Sequence, residues 1–98
     1  MNAMHSQSNK CPVVFALQSH PLAETLTESL SGQRGEFVTR LFPDGESYLR
    51  IITAVEHRPC LVVADLSQPN EKYLPLLFLL ETLRELGASN VGLIAPYL

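Results

Sequence analysis

An α/β fold with a mostly parallel sheet, helices on both faces and one added β-hairpin is predicted by three observations. Residues 12–17, 60–64 and 91–95 are apolar runs of strand length without alternation, the pattern of strands buried on both faces of a parallel sheet. Apolar residues at helical spacing follow the first two runs, as they do where helices cross over between parallel strands. The stretch 36–55 differs, because alternating apolar residues flank a Pro-Asp-Gly turn and predict an antiparallel hairpin.

In chain order, residues 1–10 are polar and aperiodic and read as a disordered leader, which leaves 11–98 as one α/β domain. The first strand, 12–17, ends at Gln18-Ser19-His20-Pro21. Ser19 or His20 can cap a helix there and Pro21 suits its first turn. Leu22, Leu26 and Leu30 carry the helical period until Ser31-Gly32 stops it. The hairpin strands are expected at 36–41 and 48–55, followed by a polar turn, Glu56-His57-Arg58-Pro59. After the strand 60–64 and the loop 65–70, a helix is predicted over 71–86, with Pro75 tolerated near its start and Gly87 as the C-cap glycine. This helix is apolar nearly all round from Tyr73 to Leu80, so its sheet-facing side cannot be its only covered side. Another subunit, or further protein, is expected to cover the rest.

Composition narrows the function classes. The sequence has 98 residues, enough for one domain that buries about 60–65% of its unfolded surface. It is 46% hydrophobic and 17% charged, with a formal charge of −3. Nothing in that balance attracts nucleic acid or an anionic membrane. Every apolar run, 76–80 included, is far short of the ~20 residues a bilayer requires. Residues 1–10 lack the apolar core of a secretory signal, so a cytoplasmic location is expected. Cys11 and Cys60, each bordering a predicted strand, are expected to be free thiols.

Ligands of such sheets bind beyond the carboxyl ends of the strands, here Gln18-Ser19-His20, Asp65-Leu66-Ser67-Gln68 and Pro96-Tyr97-Leu98. His20, Asp65, Ser67 and Asn70 are read first as capping residues. No catalytic residue is identified. No His, Cys or carboxylate grouping has metal-ligand spacing, so no metal site is expected. The Gly-rich phosphate cradles and the Ser nucleophile elbow are absent too. One stretch stands apart, the hairpin turn Phe42-Pro43-Asp44-Gly45-Glu46. Its residues fit a buried ring, a turn-forming Asp and a solvated Glu. On these residues alone that reading leads; the same residues also offer a stacking face and two carboxylates that can accept hydrogen bonds from an amine such as that of adenine.

The Phe-Pro-Asp-Gly-Glu run followed by a strand resembles a motif of the phosphoribosyl pyrophosphate (PRPP) synthetases, or ribose-phosphate pyrophosphokinases. Asp65-Leu66-Ser67-Gln68-Pro69-Asn70-Glu71-Lys72 before a Leu-rich helix, then Gly87-Ala88 and Val91-Gly92-Leu93-Ile94-Ala95-Pro96-Tyr97-Leu98, agree with the same family in order and separation. The similarity runs from about Pro12 to Leu98. It implies a phosphoribosyltransferase-like α/β domain, here the incomplete N-terminal domain of a diphosphokinase that converts ATP and ribose 5-phosphate to AMP and PRPP. It also implies a homo-oligomer, Mg2+ in the full-length enzyme with no site in this stretch, and adenine contacts from Phe42, Asp44 and Glu46 across a subunit interface. The family's arginine-glutamine-aspartate segment, metal-binding His, catalytic loop and ribose-phosphate loop lie beyond these 98 residues, so this stretch alone is expected to be inactive. A non-catalytic, PRPP synthetase-associated regulatory subunit is the alternative that the same resemblance allows.

Overall fold

The computed structural model describes residues 11–41, 47–67 and 73–96. Four parallel strands form the main sheet, in the order β2-β1-β5-β6. They are β1 (Val13–Ala16), β2 (Gln33–Arg34), β5 (Pro59–Val63) and β6 (Asn90–Ile94). A separate two-stranded antiparallel sheet pairs β3 (Phe37–Leu41) with β4 (Ser47–Ile51). Helix α1 (Pro21–Ser29) follows β1, and helix α2 (Tyr73–Glu85) lies between β5 and β6.

Strand parity divides the core into two layers. Val13 and Phe15 of β1 join Cys60, Val62 and Ala64 on one face, where Leu76, Leu79 and Leu83 of α2 and Val55 close the larger cluster. Val14 and Val63 point to the other face and meet Ala23 of α1, with Leu22 and Leu26 beside them. Helices therefore cover both faces, and the predicted architecture is the observed one. The hairpin shares the α2 side, because Phe37, Leu49 and Ile51 pack against the larger cluster.

Local chemistry sets the helix ends. His20 is the N-cap of α1: its Nδ1 accepts the backbone N–H of Leu22 at 3.0 Å, and Pro21 opens the first turn. The helix closes with paired bonds from Ser31 N–H to the carbonyl of Glu28 and from Gly32 N–H to that of Thr27, with Ser31 at φ 51°. The end of α2 repeats this arrangement, with Gly87 at φ 94° and Ala88 N–H donating to Leu83. The left-handed position is the one glycine fills most easily, as expected for Gly87.

Two expectations need correction. The second hairpin strand was expected over 48–55, yet β4 stops at Ile51. The N–H groups of Ile52 and Thr53 both turn to the carbonyl of Glu36, and Thr53 Oγ1 takes the Glu36 N–H at 2.8 Å. The ladder is capped there, and the chain turns inward at buried Val55. The second correction is β2, a two-residue edge strand beside β1 that the sequence pattern does not announce; both its residues are exposed.

Candidate functional site

The carboxyl ends of β1 and β5 lie side by side, since Val13 to Ala16 pair in parallel with Cys60 to Val63. Across this edge Gln18 and Asp65 clasp each other. The Gln18 amide donates from Nε2 to the Asp65 carbonyl at 3.3 Å, and its Oε1 accepts the Asp65 N–H at 3.4 Å. The Asp65 carboxylate accepts the Ser67 N–H at 2.9 Å and so shapes the loop after β5. With His20 capping α1, the side chains of Gln18, His20 and Asp65 bond to the protein's own backbone, as the sequence reading of His20 and Asp65 expects, while Ser67 takes part through its backbone N–H. The clasp itself joins residues 47 apart and leaves no local signal.

The hairpin is the second candidate. Phe37 pairs with Ile51, Thr39 with Leu49 and Leu41 with Ser47, so the ladder runs up to the segment 42–46. Phe42, Asp44 and Glu46 fall within that segment and lie outside the described residues. The arms that carry them are two-sided. Phe37, Leu49 and Ile51 face the core, whereas Val38, Arg40 and Arg50 are exposed. A shallow, open depression lies at the hairpin base, between Gly35, Glu36, Phe37, Val38 and Ile52.

The base is held from both sides. Gly35 continues the β1–β2 pairing by donating its N–H to the Val14 carbonyl at 2.8 Å. The rings of Phe15 and Phe37 meet at a centroid distance of 6.1 Å and an angle of 57°, a tilted aromatic contact. Sequence reasoning passed over Gly35, because its contact is with Phe15 of β1 and leaves no local signal.

Arg58 organises the opposite, amino end of the sheet. Its guanidinium donates from Nε to the Cys11 carbonyl at 3.1 Å, from Nη1 to the Ala54 carbonyl at 3.1 Å, and from Nη2 to Gln33 Oε1 at 2.8 Å. The sequence reading took Arg58 for part of a polar turn. Cys60 is buried beside it; burial pushes its thiol pKa up, against the opposing pull of the Arg58 charge. Cys11 and Cys60 are both free, as expected. Among the described residues no group of three His, Cys, Asp or Glu side chains could hold a metal ion. Nor is any described helix long and apolar enough to cross a membrane.

Comparison with known proteins gives these elements a family. The N-terminal domain of ribose phosphate pyrophosphokinase matches residues 12–98. A ribose-phosphate pyrophosphokinase of Saccharolobus solfataricus is 40% identical over 87 residues, which cover 88% of this chain and 30% of that protein. One from Sulfolobus acidocaldarius is 40% identical over 76 residues, 76% of this chain and 26% of that protein. The crystal structure of phosphoribosylpyrophosphate synthetase from Mycobacterium smegmatis superposes with a TM-score of 0.72 at 24% identity, over 89% of this chain and 30% of that one, a likeness of fold. The chain thus spans about 30% of the length of these relatives. With its parallel sheet, two covering helices and hairpin all inside the matched residues, the chain belongs to the ribose-phosphate pyrophosphokinase family, in its N-terminal domain.

Proposed function

We propose that this chain supplies adenine contacts and an assembly surface to a ribose-phosphate diphosphokinase that converts ATP and ribose 5-phosphate to AMP and PRPP. The observation that carries the reading is the β3–β4 ladder, paired up to Leu41 and Ser47, on the segment Phe42-Pro43-Asp44-Gly45-Glu46 within a family match. In this reading the Phe42 ring stacks on adenine, and the carboxylates of Asp44 and Glu46 accept hydrogen bonds from its amine. The contact reaches a neighbouring subunit of the homo-oligomer. Mg2+ accompanies ATP in the full-length, cytoplasmic enzyme, and residues outside this stretch hold it.

The assembly surface is the outer side of α2. Leu74, Leu77 and Phe78 are 62%, 46% and 48% exposed, while Leu76, Leu79 and Leu83 are buried beneath them. An apolar face of this kind on a two-layer core is the type of surface that association covers.

Diphosphoryl transfer depends on positioned phosphates and neutralising cations. This stretch matches only about 30% of the length of the relatives, and the 98 residues alone are proposed to be inactive. The test is an assay of the full-length protein with Mg-ATP and ribose 5-phosphate, alongside Phe42→Ala and Asp44→Ala. Formation of AMP and PRPP is expected, with ATP affinity lowered about tenfold or more in each variant, which corresponds to about 1.4 kcal/mol. Absence of both products from the unaltered protein would refute the reading.

A further inference from the structure

We infer that Gly35 is a positioning residue: by having no side chain it lets the Phe15 ring lie against the foot of the hairpin, and so sets the direction in which β3 and β4 carry their tip. The nucleotide part of this inference rests on the function proposed above; the geometric part stands by itself.

Val14 pairs with Arg34, and Gly35 follows in the same ladder through its N–H bond to the Val14 carbonyl. Phe15 and Gly35 are therefore neighbours across two parallel strands, where side chains of adjacent residues point to the same face. The Phe15 ring, fully buried, occupies that space. A Cβ on Gly35 would fall 2.5 Å from Cζ and 2.6 Å from Cδ2 of Phe15, and closer still to Cε2. Ordinary carbon contacts sit at ~3.5–4.0 Å, so the ring or the strand must move by about 1 Å to admit one methyl group. Two residues later, Phe37 rests its own ring against the same Phe15. One buried ring thus touches Gly35, two residues ahead of β3, and Phe37, the first residue of β3.

The hairpin acts as a lever about this foot. Five residues of β3 at ~3.4 Å each span about 17 Å. A tilt that moves the foot of one arm by about 1 Å relative to the other, ~4.8 Å away, carries the far end by about 3 Å. Bonds from Ile52 N–H to the Glu36 carbonyl and from Glu36 N–H to Thr53 Oγ1 tie the two arms together, so they swing as one unit.

The experiment places spin labels on Arg40→Cys of β3 and Glu28→Cys of α1, both exposed, in the full-length protein with Cys11→Ser. Gly35→Ala is expected to shift the label-to-label distance by about 3 Å. Phe37→Leu, which removes the ring contact without adding volume, is expected to broaden the distance distribution. ATP affinity is expected to fall about tenfold in Gly35→Ala, with the KM for ribose 5-phosphate unchanged. A folded Gly35→Ala protein with the original distance overturns the inference; where that variant does not fold, an unchanged distribution in Phe37→Leu overturns it. A shifted hairpin with intact ATP affinity, alongside an affinity loss in Phe42→Ala, also overturns it, because direction would then not matter to the nucleotide. A shifted hairpin with no effect of Phe42→Ala on ATP leaves Gly35 as the determinant of hairpin direction and refutes the nucleotide reading instead.

Discussion

At the scale of single residues, Arg58 joins three parts of the chain. Its guanidinium reaches the start of β1, the loop after β4 and the side chain of Gln33 in β2. A lysine offers no planar fork, so Arg58→Lys cannot make the three bonds together. Arg58→Lys is expected to lower stability by about 1.5–3 kcal/mol in urea unfolding. Arg34→Ala, which loses only an exposed ion pair with Glu24 at 3.6 Å, is expected to cost less than ~1 kcal/mol. The neighbouring thiols differ in the same physical way. Cys60 is buried with its pKa raised by desolvation, while Cys11 is only half-buried. Iodoacetamide at pH 8 is expected to modify Cys11 well before Cys60, read by mass spectrometry. The raised value also fixes a sign. The protonated Cys60 thiol suits both the folded and the unfolded chain below the ordinary thiol range, ~8.5. Stability is complete there and declines as pH rises through the folded-state pKa, since unfolding then releases a proton. Cys60→Ala should flatten that alkaline decline in urea unfolding at a series of pH values.

At the scale of elements, α2 shows what patterning conveys and what it leaves open. Leucines at 76, 79 and 83 form its buried stripe and Leu80 packs beside it, whereas Leu77 and Phe78 stand exposed. Leu79→Ala is expected to cost about 2–5 kcal/mol because it opens a cavity in the core. Leu77→Ser with Phe78→Ser is expected to leave urea unfolding within ~0.5 kcal/mol per site, while sedimentation shows less self-association. Unchanged sedimentation would remove α2 from the assembly surface. The strands were legible to different degrees for physical reasons. β1 and β5 are read readily, because burial on both faces leaves runs with little polar interruption. β6, expected to be equally buried, has no buried residue and exposes Leu93, so its apolar run marks a strand without that sequestration. β2 escaped because its two residues, Gln33 and Arg34, are exposed and bury nothing that a pattern could register. β4 was overextended because Ile52 and Val55 continue a β-branched run, whereas the Thr53 hydroxyl ends the ladder by bonding to Glu36.

At the scale of the molecule, the two-layer plan was legible because strand parity dictates it: odd residues of β1 face α2 and even ones face α1. Long-range polar clasps were not. Gln18 with Asp65 and Arg58 with Cys11 each join residues 47 apart, and local pattern carries no trace of such pairs. For the candidate site, the hairpin arms are found where the turn signal put them, and the Gly35 contact with Phe15 became visible only once two strands lay side by side.

That same separation governs how the chain emerges from the ribosome. At ~5–20 residues per second, β1 is exposed for about 2–9 s before its partner 47 residues on has been made, and longer before α2 follows. Helix α1 can shelter Val14 early. On the other face, Phe37 is the first residue made after Leu17 that packs on the Phe15 cluster, so the ring contact is an early shelter for that side of the nascent strand.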